Sequence, residues 1–163
     1  MGKSCAGVKR LLIRSTKNSY NDVLFGKAVD EAKYIITQLV TKISDKLEAK
    51  DIVKKIYDET TDKRLVVFDR YYPAGDFLNK FPEPLFWVHK RNDNEWVLQT
   101  IRDNEESYID RKSLPISWAG KRDRELEEAT NVPGSIFCHT DCFIAVAKTK
   151  EAILKLAEIA LNS

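Results

Sequence analysis

The feature that most constrains the fold is a long amphipathic stretch over residues 23–57. No Pro interrupts it, and no Gly follows Gly26. Apolar residues recur at the spacing of one helix face, which predicts one long helix or two in line, capped by Asn21 or Asp22. The stripe contains Phe25, Ala28, Val29, Ala32, Ile36, Leu39, Val40, Ile43, Leu47, Ile52, Val53 and Ile56. An unbroken helix would reach about 50 Å. We therefore expect a bend near residues 44–45 or an apolar partner for the stripe.

After this stretch the pattern changes to short apolar runs that are typical of strands. The runs cover residues 65–68, 85–89, 95–101, 136–139 and 143–147. The second and third flank an Asn- and Asp-containing turn, which predicts a hairpin. A short helix is expected at residues 123–129, and Thr149 is expected to cap a final helix. The fold class is therefore α+β: a long N-terminal helix or helix pair, and a mixed sheet of about five strands with a C-terminal helix packed on it.

Length and charge narrow the classes of protein. The chain has 163 residues, which suits one domain with one buried core. We expect residues 20–163 to form it and residues 1–19 to be a disordered or non-native segment. With 27 basic against 25 acidic residues, a uniformly basic nucleic-acid coat is excluded, although a local basic groove is not.

Cysteine usage and hydropathy indicate the compartment. Three cysteines form no disulfide framework, so we expect a reducing environment. No apolar run is long enough for a transmembrane helix, and we expect no membrane partner. We expect an intracellular protein, in the cytoplasm, the nucleus or the mitochondrion.

Chemistry-bearing residues are few. The chain has two histidines and lacks nucleotide-loop, serine-elbow and zinc-protease motifs, so no catalytic residue or metal ligand is assigned. His139 ends an apolar run and precedes a polar turn, which suits either a ligand contact or a structural hydrogen bond. A basic loop contains Arg111, Trp118 and Arg122. Either it contacts a nucleotide or single strand, or its charges are solvated and Trp118 packs the core.

The C-terminal part of the chain resembles the melanocyte proliferating gene one family, also labelled metal-dependent protein hydrolases, of the DHH phosphoesterase superfamily. The family pattern is R-x-x-L-P-x-x-W-x-G-L-R-D-x-E-L followed by F-x-H-x-x-G-F-I-G-G and a Thr before the last helix. The matching residues are Arg111, Leu114, Pro115, Trp118, Gly120, Arg122, Asp123, Leu126, Phe137, His139, Phe143, Ile144 and Thr149. The similarity extends over residues 20–161.

The resemblance implies the C-terminal, substrate-binding half of a metal-dependent 3′–5′ RNA exonuclease. The family's metal-binding H-N-G-x-F-H-x-D and Asp-His-His motifs belong to an N-terminal domain and do not occur here, so manganese or magnesium is expected only in that domain. We expect Arg111, Arg122, His139 and Lys148 to contact phosphates and Trp118 to contact a base. The partners implied are RNA or a nucleotide, and an N-terminal catalytic domain or split subunit. This chain alone is expected to be inactive.

One departure from the family pattern supports a second interpretation. Cys142 replaces a family glycine, and Ala145 and Val146 replace a Gly-Gly pair. Side chains there are expected to crowd a phosphate site that glycines would leave open. In this alternative the chain is a non-catalytic binding or assembly domain with a degenerate pocket, and the long helix forms a homodimer.

Overall fold

The structure is a computed structural model that describes the backbone of residues 5–104 and 106–163, and the side chains of residues 20–45, 47–104 and 106–163. The expectation for residues 1–19 therefore lies outside the described side chains. The chain divides into two units, Met1–Asp45 and Lys46–Ser163. No helix in the described part of the chain is long and apolar enough to cross a membrane.

Helix α1 covers Cys5–Glu59, 55 residues in all. The expected start at Asn21 or Asp22 is wrong, because the helix already includes both residues. No Pro lies in the stretch that precedes them, so no residue there lacks the backbone N–H that helix propagation needs. In the first unit most of the described large apolar side chains are exposed, from 45% for Leu24 to 72% for Phe25, whereas Val29 is half-buried.

The second unit contains a five-stranded mixed sheet in the order β1-β2-β3-β5-β4. Its strands are β1 Leu65–Phe68, β2 Phe86–Asn92, β3 Glu95–Thr100, β4 Ser135–Cys138 and β5 Ile144–Ala147. Its helices are α2 Gly75–Leu78, α3 Asp123–Thr130 and α4 Lys150–Asn162, with a 3₁₀ turn at Ile116–Trp118. Only β1 and β2 pair in parallel. The α+β class, the five strands and the final helix are confirmed.

Local chemistry explains the best-predicted elements. The β2–β3 hairpin turns at Asn92, whose side-chain oxygen accepts from the Asn94 N–H at 3.0 Å. Asn favours such turns because its side chain can replace a backbone hydrogen bond. Thr149 caps α4, since its hydroxyl oxygen accepts from the Ala152 N–H at 3.1 Å. This bond satisfies one of the donors that every helix N-terminus leaves unpaired.

The sheet has two faces, each with its own apolar cluster. The first, called here the α4 face, carries side chains such as Val88, Leu98 and Ala145, which pack against α3 and α4. The opposite face, called the Trp87 face, carries Val66, Phe68 and Trp87, and these pack against the end of α1 and against α2. Alternation along each strand produces this division, because successive side chains point to opposite sides.

Candidate functional site

One row of side chains crosses the Trp87 face. Trp87 pairs with Gln99, and Gln99 pairs with Ile144. The His139 N–H donates to the Ile144 carbonyl at 3.0 Å, which extends the row to His139. Directly paired residues point to the same face, and neighbouring strands lie about 4.8 Å apart. The row therefore places His139 about 10 Å from Gln99, two strands away on the same face.

The turn that follows β4 orients the His139 ring and sets the tautomer of its neutral form. Its Nδ1 accepts from the Asp141 N–H at 3.1 Å, and its backbone carbonyl accepts from the Cys142 N–H at 3.0 Å. Because Nδ1 is an acceptor, the proton of the neutral imidazole lies on Nε2. The side chain is 35% exposed, and its ring centroid lies 4.4 Å from that of Phe143. His139 can therefore donate a hydrogen bond from Nε2.

Arg122 lies near His139, and the Phe137 ring contacts both side chains. Its guanidinium carbon is 4.5 Å from the centroid of the Phe137 ring, and that ring is 6.2 Å from the His139 ring. We call Arg122, Phe137, His139 and Phe143 the His139 cluster. The next residue, Asp123, has a φ of 43°, an uncommon backbone conformation for a residue with a side chain. The cluster combines a cation, a hydrogen-bond donor and two aromatic rings.

The other predicted contacts lie elsewhere. The Arg111 guanidinium donates to the backbone carbonyls of Asn79 at 2.7 Å, Pro84 at 3.1 Å and Phe81. Trp118 is only 2% exposed and packs the core, so neither face of its ring is open to a base.

Lys148 is exposed and follows β5, and its N–H donates to the Gly134 carbonyl at 2.8 Å. Gly134 precedes β4, whereas His139 follows it, so Lys148 lies at the opposite end of this strand pair. The structure thus brings together Arg122 and His139, and substrate contact by all five residues stays a prediction.

A cleft of about 500 Å³ opens at the other end of the row. It is lined by Tyr71, Pro73, Ala74, Gly75, Asp76, Asn79, Trp87, Gln99, Thr100, Ile101 and Arg102. We call it the Trp87 cleft. The Tyr71 ring lies 6.1 Å from that of Trp87, centroid to centroid. The sequence showed only a Pro- and Gly-containing loop at residues 71–75, and the aromatic pair at its start was the signal that could have indicated a site.

His89 supports the floor of this cleft. It is 5% exposed, and its ring lies 5.1 Å from the Tyr71 ring. Its Nδ1 is 3.3 Å from the Lys90 carbonyl oxygen, and its Nε2 is 3.3 Å from the Gln99 side-chain oxygen. Burial lowers the pKa of His89, which favours the neutral ring. A neutral imidazole has one N–H and can donate to only one of these oxygens.

The three positions where the family has glycine differ in where their side chains point. Cys142 has a φ of 57°, a left-handed conformation that glycine adopts without strain, and its side chain is buried on the α4 face. Ala145 is fully buried on that face as well. Only Val146, which pairs with Phe137, points to the Trp87 face. Crowding of a site near His139 can therefore come from Val146 alone.

The donor groups of the described residues do not converge on a metal site. Among the described residues, no group of three or more His, Cys, Asp or Glu side chains could hold a metal ion. Stable sites in proteins usually supply at least three such ligands. The described residues therefore do not fit a catalytic metal on their own, and no reaction step through a metal is assigned to them.

The fold and the site define an α+β domain whose candidate site is a sheet face lined by aromatic, amide and basic side chains. The chain belongs to the MYG1 exonuclease family, whose model is described as "Uncharacterised protein family (UPF0160)" and matches residues 6–161. This confirms the resemblance drawn from the sequence motifs.

Curated relatives occur in eukaryotes and bacteria. The chain is 31% identical to the MYG1 protein of Saccharomyces cerevisiae over 126 residues, which cover 71% of this chain and 37% of the yeast protein. It is 32% identical to the human MYG1 exonuclease over 76 residues, 47% of this chain and 20% of that protein. The MYG1 protein of Chlamydia pneumoniae is 24% identical over 91% of this chain and 52% of its own length. The chain thus spans about half or less of each relative. No solved structure matches.

Proposed function

We propose that this domain is the substrate-binding part of a DHH-type, metal-dependent phosphoesterase that acts as a 3′–5′ exonuclease on RNA inside the cell. The manganese or magnesium ions would be held by an N-terminal catalytic domain or a split subunit. Family membership and the printed name of the human relative support the nuclease class. This chain alone would bind RNA without cleaving it.

The His139 cluster is the observation that carries the proposal. An Arg guanidinium can pair with two phosphate oxygens at once, and Arg122 is exposed on this face. The Nε2–H of His139 is a second donor for a phosphate oxygen. The Phe143 ring, 37% exposed, offers a surface on which an unpaired base can stack. The Arg122 cation, the His139 donor and the Phe143 ring together suit a single-stranded nucleic acid.

Binding of a short fluorescent RNA, followed by anisotropy across a range of salt concentrations, tests this role. We expect Arg122→Ala to weaken binding about tenfold and to reduce the salt dependence by about one phosphate contact. Arg124→Ala is the matched control. Arg124 lies in α3, two residues after Arg122, and forms an ion pair with Glu128 at 2.8 Å. Equal effects of the two substitutions, or salt-independent binding of the native chain, would refute the proposal.

Hydrolysis requires a second measurement. We expect this chain to leave the RNA intact with manganese present, and to support cleavage only when joined to the metal-binding part of a family member. In that combination Arg122→Ala should reduce the cleavage rate at low RNA concentration. Absence of manganese-dependent cleavage in every combination would overturn the nuclease assignment.

A second candidate function is assembly through α1. The apolar residues of its described part are largely exposed, including Ile36 at 59% and Leu39 at 53%. A second copy of the same helix would cover such a stripe. We expect light scattering to show a dimer that Ile36→Glu together with Leu39→Glu converts to a monomer. Lys33→Glu is the control, because its side chain is 73% exposed. A monomeric native chain would eliminate this candidate.

A further inference from the structure

We propose that the Trp87 cleft binds one nucleotide, taking its base between aromatic and amide side chains and its phosphate near Arg102. The ligand class rests on the proposed function, whereas the site is new and lies two strands from the His139 cluster. A volume of about 500 Å³ falls within the range of small-ligand sites. The cleft therefore suits a single nucleotide.

Aromatic rings give the cleft a surface for stacking. Tyr71 is 60% exposed, while Trp87 is 5% exposed and forms the wall. The Tyr71 ring also lies against the His89 ring, which restricts its movement. Stacking on such rings binds any base, because every base has a π-face.

Asn79 supplies a hydrogen-bond acceptor for the base. Its Oδ1 is buried and has no hydrogen-bond partner among the described residues, and Asn79 lines the cleft. A buried acceptor without a donor is unfavourable, so a ligand that brings an N–H gains a hydrogen bond that the free protein lacks. The exocyclic amino groups of adenine, cytosine and guanine are such donors, and so is the N3–H of uracil, whereas a ribose phosphate without a base brings none. Gln99 lines the same cleft and offers a second amide.

The wall that carries Asn79 is held in place by Arg111, whose guanidinium donates to the Asn79 carbonyl at 2.7 Å. In this arrangement Arg111 is a positioning residue for the cleft. Arg102 is exposed, and its guanidinium carbon lies 5.0 Å from the centroid of the Tyr108 ring. Asp76 adds a carboxylate to the lining, so one phosphate near Arg102 fits the charge balance better than several.

Calorimetric titration of the native chain with AMP, CMP, UMP and ribose 5-phosphate, which has no base, tests the proposal. We expect each nucleotide to bind at least tenfold more tightly than ribose 5-phosphate. In Asn79→Ala this advantage should shrink at least fivefold while ribose 5-phosphate affinity is retained. Tyr71→Ala should weaken all three nucleotides about fivefold or more, whereas Tyr34→Ala, which removes an exposed helical tyrosine, should change none. Equal affinity for ribose 5-phosphate and the nucleotides, or no saturable binding at millimolar concentration, would overturn the proposal.

Two further measurements test whether Asn79 has a structural role and whether the ligand is a strand end or a free nucleotide. Thermal unfolding of Asn79→Ala should show no loss of stability, because the substitution removes an unpaired acceptor; a large loss would indicate a structural role instead. A short RNA that ends in adenosine should displace AMP if the cleft takes a strand end. If it does not, while AMP binding depends on Asn79, the ligand is a free nucleotide and the site still stands.

The cleft and the His139 cluster can fail independently. Arg122→Ala should leave AMP affinity unchanged, since Arg122 does not line the cleft. AMP binding without Arg122-dependent RNA binding would support the cleft and reject the proposed function. Arg122-dependent RNA binding without any nucleotide binding would do the reverse.

Discussion

Replacement of Arg111 by methionine should destabilise the domain more than any change at its surface. The Arg111 guanidinium joins three backbone carbonyls, those of Asn79, Phe81 and Pro84, and so ties the segment after α2 to the end of the sheet. Methionine keeps a chain of similar length but removes every donor. The carbonyls would then be left without their partner.

The magnitude follows from these contacts. A hydrogen bond to a charged group contributes about 1.5–3 kcal/mol, and losses within one network do not add fully. Arg111 is partly exposed, so water can replace some of the lost donors. We expect a loss of about 3–4 kcal/mol in the free energy of unfolding. Arg111→Lys should recover less than half of it, because an ammonium group lacks the planar fork of five donors.

Urea unfolding, followed by tryptophan fluorescence, measures this difference. Arg124→Met is the control, since its side chain is 89% exposed, and it should change the free energy of unfolding by no more than about 0.5 kcal/mol. An Arg111→Met variant within about 1 kcal/mol of the native chain would refute the reasoning and would leave Arg111 available for the phosphate contact expected from the sequence.

Two further outcomes follow from the turn and strands around β5. Cys142→Gly should stay within about 1 kcal/mol of the native free energy of unfolding, because relief of the left-handed backbone strain offsets the lost burial of the side chain. Ala145→Gly relieves no such strain and should lower the free energy of unfolding by about 1–2 kcal/mol. A larger cost at Cys142 in urea titrations would contradict this. Burial raises the pKa of Cys138 from 9.0 to about 12. Iodoacetamide at pH 8 should therefore label this thiol at least tenfold more slowly in the folded than in the unfolded chain. The free energy of unfolding should also fall as pH rises from 9 towards 12, because the unfolded chain loses the thiol proton first. Equal labelling rates by peptide mass spectrometry would disprove the burial argument.

Local patterns predicted the elements that depend on local chemistry. The β2–β3 hairpin and the cap of α4 follow from Asn92 and Thr149, whose hydrogen-bond partners lie within three residues along the chain. The predicted start of α1 was wrong, because a residue that can cap a helix does not by itself stop the helix from continuing through it. Parallel pairing of β1 with β2 was not predicted either, because a four-residue apolar run carries no information about its partner.

The sequence predicted only part of the geometry of the candidate site. The motif around His139 indicated a polar turn beside a strand, and the structure places Arg122 near it through Phe137. The Trp87 cleft was missed, because the loop that carries Tyr71 and the strands that carry Trp87 and Gln99 meet only after folding. No short-range spacing in the sequence indicates that these distant residues come together.

The order of the strands has a kinetic consequence. The strand residues that line the Trp87 cleft come from β2 and β3, and the His139 cluster lies at the ends of β4 and β5. The two halves of the face are joined by the β3–β5 ladder, which pairs Leu98 with the distant Ala145. Closing so long a loop is slow compared with forming a hairpin. We therefore expect the two candidate sites to come into register late in folding. Opening of this one ladder would separate them while each half keeps its own hairpin.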